Sequence, residues 1–490
     1  MSVVKFDRKG LFAFFCAFSV LVGTGCSDDD DGTPPDTSAP VISNLSHADN
    51  ETVIGSRTVS FSADVTDDIS ATVTITHNGN PVTATASGDT YTASITLEDR
   101  TNNTIVVSAS DADNTTSETV TLNYPFLAFS NGQAASVVIG QPDFDSTAPR
   151  QGGTTAANTL EHGSGVAYIE GRVYVSDGDN RVLGFNSVPT VNNANADFVI
   201  GQNDFTSNAS GETSTTLTGP TGVAYENNHF FILNGGLDAR ANHWSQLLTD
   251  NSVAADLVVG QADFGAGVNF TCAQNTFRFL PTSIAVVNGK LVVGDSRRVL
   301  IWNSIPTTSG ANADIVLGQQ NFSNCAANDQ DGDGNSDTPT AQTIDGFTSV
   351  WSDGTRLVVS DSGNNRVLIW NSFPTSNAQA ADLVLGQADF TSAVTPTTTA
   401  TSIGPGFVTS NGNQLFITDG INERVMIWDS WPTSNNQPAD RVLGANDLVG
   451  DVTGLTNAST FINAEALAVT SDHLLLLDSN NSRVLVFNAP

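Results

Sequence analysis

The hydrophobic residues of this chain fall in short runs of five to seven, β-branched or aromatic, separated by Gly, Asn, Asp, Ser and Pro. Such punctuation predicts strands and turns. One run returns six times: VVIGQPDF at Val137, FVIGQNDF at Phe198, LVVGQADF at Leu257, IVLGQQNF at Ile315, LVLGQADF at Leu383 and RVLGANDL at Arg441. Its glycines, Gly140, Gly201, Gly260, Gly318, Gly386 and Gly444, stand 61, 59, 58, 68 and 58 residues apart, the mark of a repeat array. Between successive phrases lie three further apolar runs in fixed order. In the fourth unit these are FTSVWSDG at Phe347, RLVVSD at Arg356 and RVLIWN at Arg366. No helix fits any of them. Four antiparallel strands per unit, two of them joined by a turn such as DSGNNR, predict blades of a β-propeller.

The ends of the array predict how it closes. It begins with a GQ strand and ends with RVLVFN at Arg483, the third strand of a unit with no GQ strand after it. Residues 136–141 therefore supply the outermost strand of the last blade, which completes six blades and removes exposed sheet edge. The phrase DSGNNRVLIWN from Asp361 resembles the core of the NHL-repeat family of propellers. Matching turns run from Asp177 to Arg181, Asp295 to Arg298, Asp419 to Arg424 and Asp478 to Arg483. The second unit departs, with Asn234 for the Asp and ANHWSQLL around His243 in place of a regular third strand. The resemblance covers residues 133–490. It implies the fold and leaves function open, because propellers host binding and catalysis alike.

Ahead of the array the pattern changes. Residues 1–26 carry Lys5, Arg8 and Lys9, then LFAFFCAFSVLVG, then Thr24, Gly25 and Cys26. This is a signal peptide, and it resembles the bacterial lipoprotein type in which Cys26 becomes lipidated. Gly23 departs from that pattern, and a conventionally cleaved secretory signal is the alternative. Residues 27–39, SDDDDGTPPDTSA, form a flexible acidic and Pro-rich tether. Ser27 after the cysteine resembles lipoproteins that leave the inner membrane, so the expected location is an outer-membrane lipoprotein facing the periplasm or the cell surface. The acidic run resembles surface-export signals or serves as a solvated spacer. Residues 40–125 alternate on a period of two and resemble bacterial immunoglobulin-like sandwiches, notably in VVSASDADNTTSETVTL. Such a module is expected to act as a stalk.

Charge then narrows the partners. The formal net charge is −33, and signal cleavage removes Lys5, Arg8 and Lys9 against Asp7, leaving −35 before the termini are counted. Lys290 is the one lysine that remains. Nucleic acid, which needs clustered cations, is excluded as a partner, and anionic lipid surfaces are disfavoured. Of four cysteines, Cys16 lies in the signal and Cys26 at the lipid site. Cys272 and Cys325, in equivalent connections of neighbouring units, are the remaining pair, and an exported protein is expected to oxidise them to a disulfide.

The sharpest chemical motif is DQDGDGNSD at 329–337. Carboxylates at alternate positions with glycines between them gather hard oxygen ligands, and the pattern resembles DxDxDG calcium loops. Asp329, Asp331, Asp333 and Asp337 are the expected Ca²⁺ ligands; Thr340 stands where an EF-hand has Glu. The motif also accounts for the 68-residue unit. No catalytic constellation is legible. Among residues entering the innermost strands most are small or hydroxylic, and only His162 and Glu465 are expected to meet as a polar pair at the central channel. The once-per-unit Asp and Arg of the turns, and Trp302, Trp370 and Trp428, read as structural. These features predict an extracytoplasmic, lipid-anchored binding or scaffold protein that offers a propeller face to a protein or glycan. The face expected to work bears the loops that follow the GQ strands. The alternative is a propeller enzyme of the metal-dependent lactonase or lyase type.

Overall fold

A computed structural model describes residues 37–489 except 54–56, 99–101, 112, 236–237, 251–252, 268, 270, 279–280 and 451–455. The signal peptide, Cys26 and most of the tether lie outside the described residues. The protein is all-β and propeller-like, with eight sheets among the described residues and helical structure confined to three single 3₁₀ turns. Two sheets belong to the N-terminal segment. One orders Val41–Ser43, Thr58–Thr66, Thr90–Thr96 and Ala84–Ser87; the other orders Glu51–Thr52, Thr115–Asn123, Asn102–Ser110, Thr72–His77 and Asn80–Val82. Along Thr58–Thr66 and Asn102–Ser110 every second residue is buried, so the inward sides meet in one core that includes Phe61, Ile95, Ile105, Val107 and Leu122.

The other six sheets are one design repeated, each with four antiparallel strands, which in five of them follow one another in sequence order. The first of them comprises Gly165–Ile169, Arg172–Asp177, Arg181–Phe185 and Phe198–Ile200. Second and third strands are buried along almost their whole length and are apolar between the Asp and Arg at their joined ends, since both faces of each sheet pack against neighbours. The innermost strands, Gly165–Ile169, Pro220–Glu226, Pro281–Val287, Val350–Ser352, Pro405–Ser410 and Ala464–Val469, contact one another in that order, and the last also contacts the first. In the sheet of Ala464–Val469 the outermost strand is Val137–Ile139, which pairs antiparallel with Arg483–Asn488 through Val137 to Val486 and Ile139 to Val484. The surplus strand at the start of the array thus fills the missing place at its end.

Six buried arginines explain the repeat. Arg181, Arg240, Arg298, Arg366, Arg424 and Arg483 are each fully buried at the start of a third strand. Each pairs with an aspartate of its turn: Asp177, Asp238, Asp295, Asp361, Asp419 and Asp478, at 2.7 to 3.0 Å. The Nη1 of each donates to a carbonyl at the end of a GQ phrase, on Phe205, Phe264, Phe322, Phe390, Leu448 and Phe144 respectively. Nη2 holds the incoming connection, for example Thr340 O and Thr343 O at 2.8 Å from Arg366. A planar fork of five donors is suited to pinning three segments at once. Burial pushes the Asp361 and Asp478 carboxyls up against the pull of their arginines, so removing the cation leaves a buried carboxylate with only neutral donors, Asn364 and the Asp345 amide for one and Asn481 and the Ile462 amide for the other.

The GQ phrase follows from the same joint. After each outermost strand the backbone enters the left-handed region, with φ of 84 to 91° at Gly140, Gly201, Gly260, Gly318, Gly386 and Gly444. A Cβ on Gly260 would lie 2.4 Å from the Phe277 ring. In four of the phrases the following Gln sends Nε2 to the carbonyl just before the buried Arg, as Gln202 does to Asn180 O at 2.8 Å and Gln387 to Asn365 O at 3.0 Å, whereas Gln261 takes Asp238 O and the sixth phrase has Ala445. In the second of these sheets the structure corrects the irregular strand expected around His243. Arg240–Trp244 is a regular third strand, Asp238 replaces the Asp that Asn234 lacks, and Trp244 Nε1 bonds Val253 O as Trp302, Trp370 and Trp428 bond their own connections. Replacing Arg366 with Met should cost about 3 to 5 kcal/mol in denaturant unfolding, and Arg366→Lys should rescue only part, because an ammonium cannot reach all three partners.

His243 adds a pH dependence. Burial, then the charge of His229 3.0 Å away, pushes its imidazole down to about 4. A folded pKa below the unfolded value near 6.5 means this contribution is intact above pH 6.5 and is lost as pH falls towards 4. His243→Gln should flatten that part of the stability profile measured by thermal unfolding across pH 4 to 7.

Candidate functional site

The two faces of the repeat array differ in what covers them. Connections between third and outermost strands emerge on one face and are nearly uniform because they staple neighbouring sheets. Asn377 Oδ1 accepts from Val316 N at 3.0 Å, Asn435 Oδ1 from Val384 N at 3.1 Å, and Asn192 Oδ1 from Val138 N at 3.1 Å. Asn131, ahead of the first GQ strand, does the same for Val442 at 2.9 Å. The N-terminal sheets sit on this face: Asn413 Nδ2 reaches Pro125 O at 2.9 Å, Gln414 brackets the Leu127 backbone, and Arg441 lies over the Phe126 ring.

The opposite face carries the loops that follow each GQ strand. A pocket of about 490 Å³ opens there where the innermost strands begin, lined in part by Ser164, Thr221, Thr282, Phe407, Ile421 and Glu465. Phe347 and Ile421 stand on it with 56% and 54% of their surface exposed, unusual for large apolar side chains. The hydroxyls expected from sequence to fill the channel are largely occupied as seams between sheets. Thr221 Oγ1 donates to Pro281 O at 2.9 Å, Thr282 Oγ1 to Thr348 O at 2.6 Å, and Ser349 Oγ accepts from Val408 N at 3.2 Å.

The structure brings His162 and Glu465 near each other without a bond between them. His162 Nδ1 lies 3.3 Å from Ser479 O, and Glu465 Oε1 accepts from Asn463 Nδ2 at 2.6 Å. Burial raises the Glu465 carboxyl, opposed by bonds from Asn463 and Ser479 and by the His162 charge. Glu465 is the one ionisable residue among the described lining of this pocket.

On the same face the loops of Cys272 and Cys325 are joined by a disulfide across 53 residues, with Cα atoms 6.3 Å apart. Beyond it the carboxylate oxygens of Asp329, Asp331 and Asp333 lie within 4.8 Å of one another, a cluster able to hold a metal ion. Asp329 is fully buried and accepts from Gly332 N at 2.8 Å, Gly334 N at 3.0 Å and Asn324 Nδ2 at 3.0 Å. Gly332 and Gly334 have φ of 78 and 86°, which lets the loop fold back on that carboxylate. Bonds from the Asn335 side chain and backbone lower the Asp333 carboxyl. Asp337 is turned to Gln330 N at 3.0 Å and stands outside the three-residue cluster. The pocket rim of Phe347 and Ile421 was not legible in the sequence as a site, because each reads there as part of an ordinary strand or turn.

No protein-family model and no curated protein matches the chain. Among solved structures, an auxiliary nutrient binding protein from Bacteroides thetaiotaomicron aligns over 93% of this chain and 99% of its own at 11% identity and TM-score 0.37. The computationally designed Ika8 protein aligns over 79% and 93% at 10% identity and TM-score 0.32. Titin domain M7 covers 19% of this chain and 98% of its own at 16% identity and TM-score 0.17. Likenesses at these levels assign no activity. Among the described residues no helix is long and apolar enough to cross a membrane.

Opening the disulfide removes a constraint on a 53-residue loop. The Cys272→Ser, Cys325→Ser double variant should lose up to about 4 kcal/mol in the chain-entropy model. The check is a denaturant midpoint with and without reductant, where only the parent protein should respond to the reductant.

Proposed function

We propose that residues 133–490 form a six-bladed, NHL-like propeller closed by the strand Val137–Ile139, and that residues 40–125 form an Ig-like stalk on one of its faces. Lipidation at Cys26 anchors the protein in the bacterial cell envelope through a tether, and the free face binds a protein or glycan. The observation that carries this reading is the asymmetry of the faces: one is taken by uniform staples and the N-terminal sheets, the other by exposed Phe347 and Ile421 around the axial pocket. The stalk approaches the array from the covered side, which leaves the pocketed face turned away from it. Variable loops stiffened by the Cys272–Cys325 bond and by a Ca²⁺ ion at Asp329, Asp331 and Asp333 build such a surface at low entropic cost. The fit of Ca²⁺ rests on oxygen donors alone and on three carboxylates converging on one point. The enzyme alternative draws no comparable support, since Glu465 is the pocket's one ionisable group among the described residues and offers no cation a ligand set there.

Cys26→Ala should abolish lipid labelling and move the protein from the membrane to the soluble fraction, with equal retention counting against the anchor. Phe347→Glu with Ile421→Glu should leave the melting temperature within a degree or so, because both side chains are exposed, yet eliminate capture of the partner from an envelope extract; undiminished capture would move the site elsewhere. Calorimetric titration with Ca²⁺ should give one site that Asp331→Ala removes.

A further inference from the structure

Between the third and fourth repeat sheets, beside the axial pocket, lies a second hollow of about 320 Å³, lined by Arg278, Ser296, Arg297, Gly346 and Phe347. Its charge is unusual here. The chain has 18 cations against 51 anions, and six of its arginines are sealed in the buried Asp joints. Arg278 belongs to no ion pair among the described residues. Among the described residues its guanidinium makes one bond, from Nη1 to Cys325 O at 2.6 Å, which fixes it to the disulfide-bearing loop. Arg297 gives Nε to Asp345 at 2.9 Å and keeps both Nη groups. Burial, and then the neighbouring charge of Arg297, weakens the hold of Arg278 on its proton, against the pull of Asp295. Directly beside these two forks stands the exposed Phe347 ring, shared with the axial pocket.

We propose that Arg278 and Arg297 form a carboxylate subsite of the binding face, in which the ligand's carboxylate takes the two guanidinium forks and its adjoining carbon skeleton rests on Phe347. A planar carboxylate matches the paired donors of a guanidinium better than a point anion does, and the aromatic face accepts the C–H surface of a hexuronic acid ring or the ring of an aromatic acid. This deepens the binding-face reading and rests on it. A protein carrying −33 repels anions at long range, so the subsite acts on a carboxylate held close by the rest of the ligand.

The test uses the full mature chain with Cys26→Ala, titrated by calorimetry and by NMR with a hexuronate oligosaccharide, the neutral oligosaccharide of the same linkage, and benzoate. The expected result is that the hexuronate binds at least about tenfold more tightly than the neutral sugar, and that this preference weakens as salt is raised. Arg278→Gln, which keeps a donor for Cys325 O, should abolish the preference, and Phe347→Ala should weaken both carbohydrates. Benzoate binding that depends on Arg278 without hexuronate binding supports the subsite and assigns the aromatic acid as its source. Equal affinity for acidic and neutral probes, an unchanged preference in Arg278→Gln, or no binding by either acid overturns the subsite. In each of those cases, loss of partner capture in the Phe347→Glu, Ile421→Glu variant would still leave the binding face standing, so the two readings fail separately.

Discussion

Everything in residues 137–489 hangs on a buried arginine that recurs once per sheet. Its neighbours in sequence are apolar strands that need no charge, yet each sheet places one guanidinium where incoming connection, outgoing connection and turn meet. The net worth of a buried ion pair is small, because desolvation offsets most of the attraction. The value of the joint lies in geometry: two segments of irregular backbone have carbonyls that would otherwise be buried without donors, and one side chain satisfies them while its Nε holds the Asp of the turn. The constant layout within each GQ phrase, from its Gly to its final Phe or Leu, is a consequence. Its glycine makes the left-handed turn, its glutamine in four of the six caps the carbonyl before the arginine, and its final Phe or Leu presents the carbonyl that the arginine holds.

That joint also explains the division of labour between the faces. Asparagine staples on one face must meet a fixed backbone N–H in the neighbouring sheet, so those connections cannot vary in length. Loops on the other face are pinned at both ends by the arginine and are free between, which is where the disulfide, the Asp329 cluster and the two-arginine hollow have been inserted. Loops fixed at their ends by a rigid frame suit recognition, since little order has to be gained on binding.

The array was legible in the sequence because its signals are local and repeated: strand runs, turn residues, and a glycine whose spacing counts the units. The pairing of Val137–Ile139 with Arg483–Asn488 was legible from arithmetic alone, one strand over and one strand short. The disulfide followed from elimination among four cysteines. What escaped the reading depends on contacts that no local pattern encodes. The second of these sheets looked irregular because its aspartate moved from position 234 to 238, four places along the chain yet still beside Arg240. The small and hydroxylic residues entering the innermost strands gave no sign of their use as seams, a role set by backbone of the next sheet. Arg278 and Arg297 carry no motif, and their shared hollow exists only because two connections converge.

The central claim is that the first GQ phrase completes the last sheet and takes the Arg483 joint, through Phe144 O, so that the ends of the array hold each other. Hydrogen exchange at the backbone amides of Val484 and Val486, compared between the parent protein and one lacking residues 133–142, tests it most directly. The account predicts that protection there falls to that of locally open structure while the sheet of Leu357–Asp361 and Arg366–Trp370 keeps its own for longer. Unchanged protection at Val484 and Val486 in the shortened protein would contradict it.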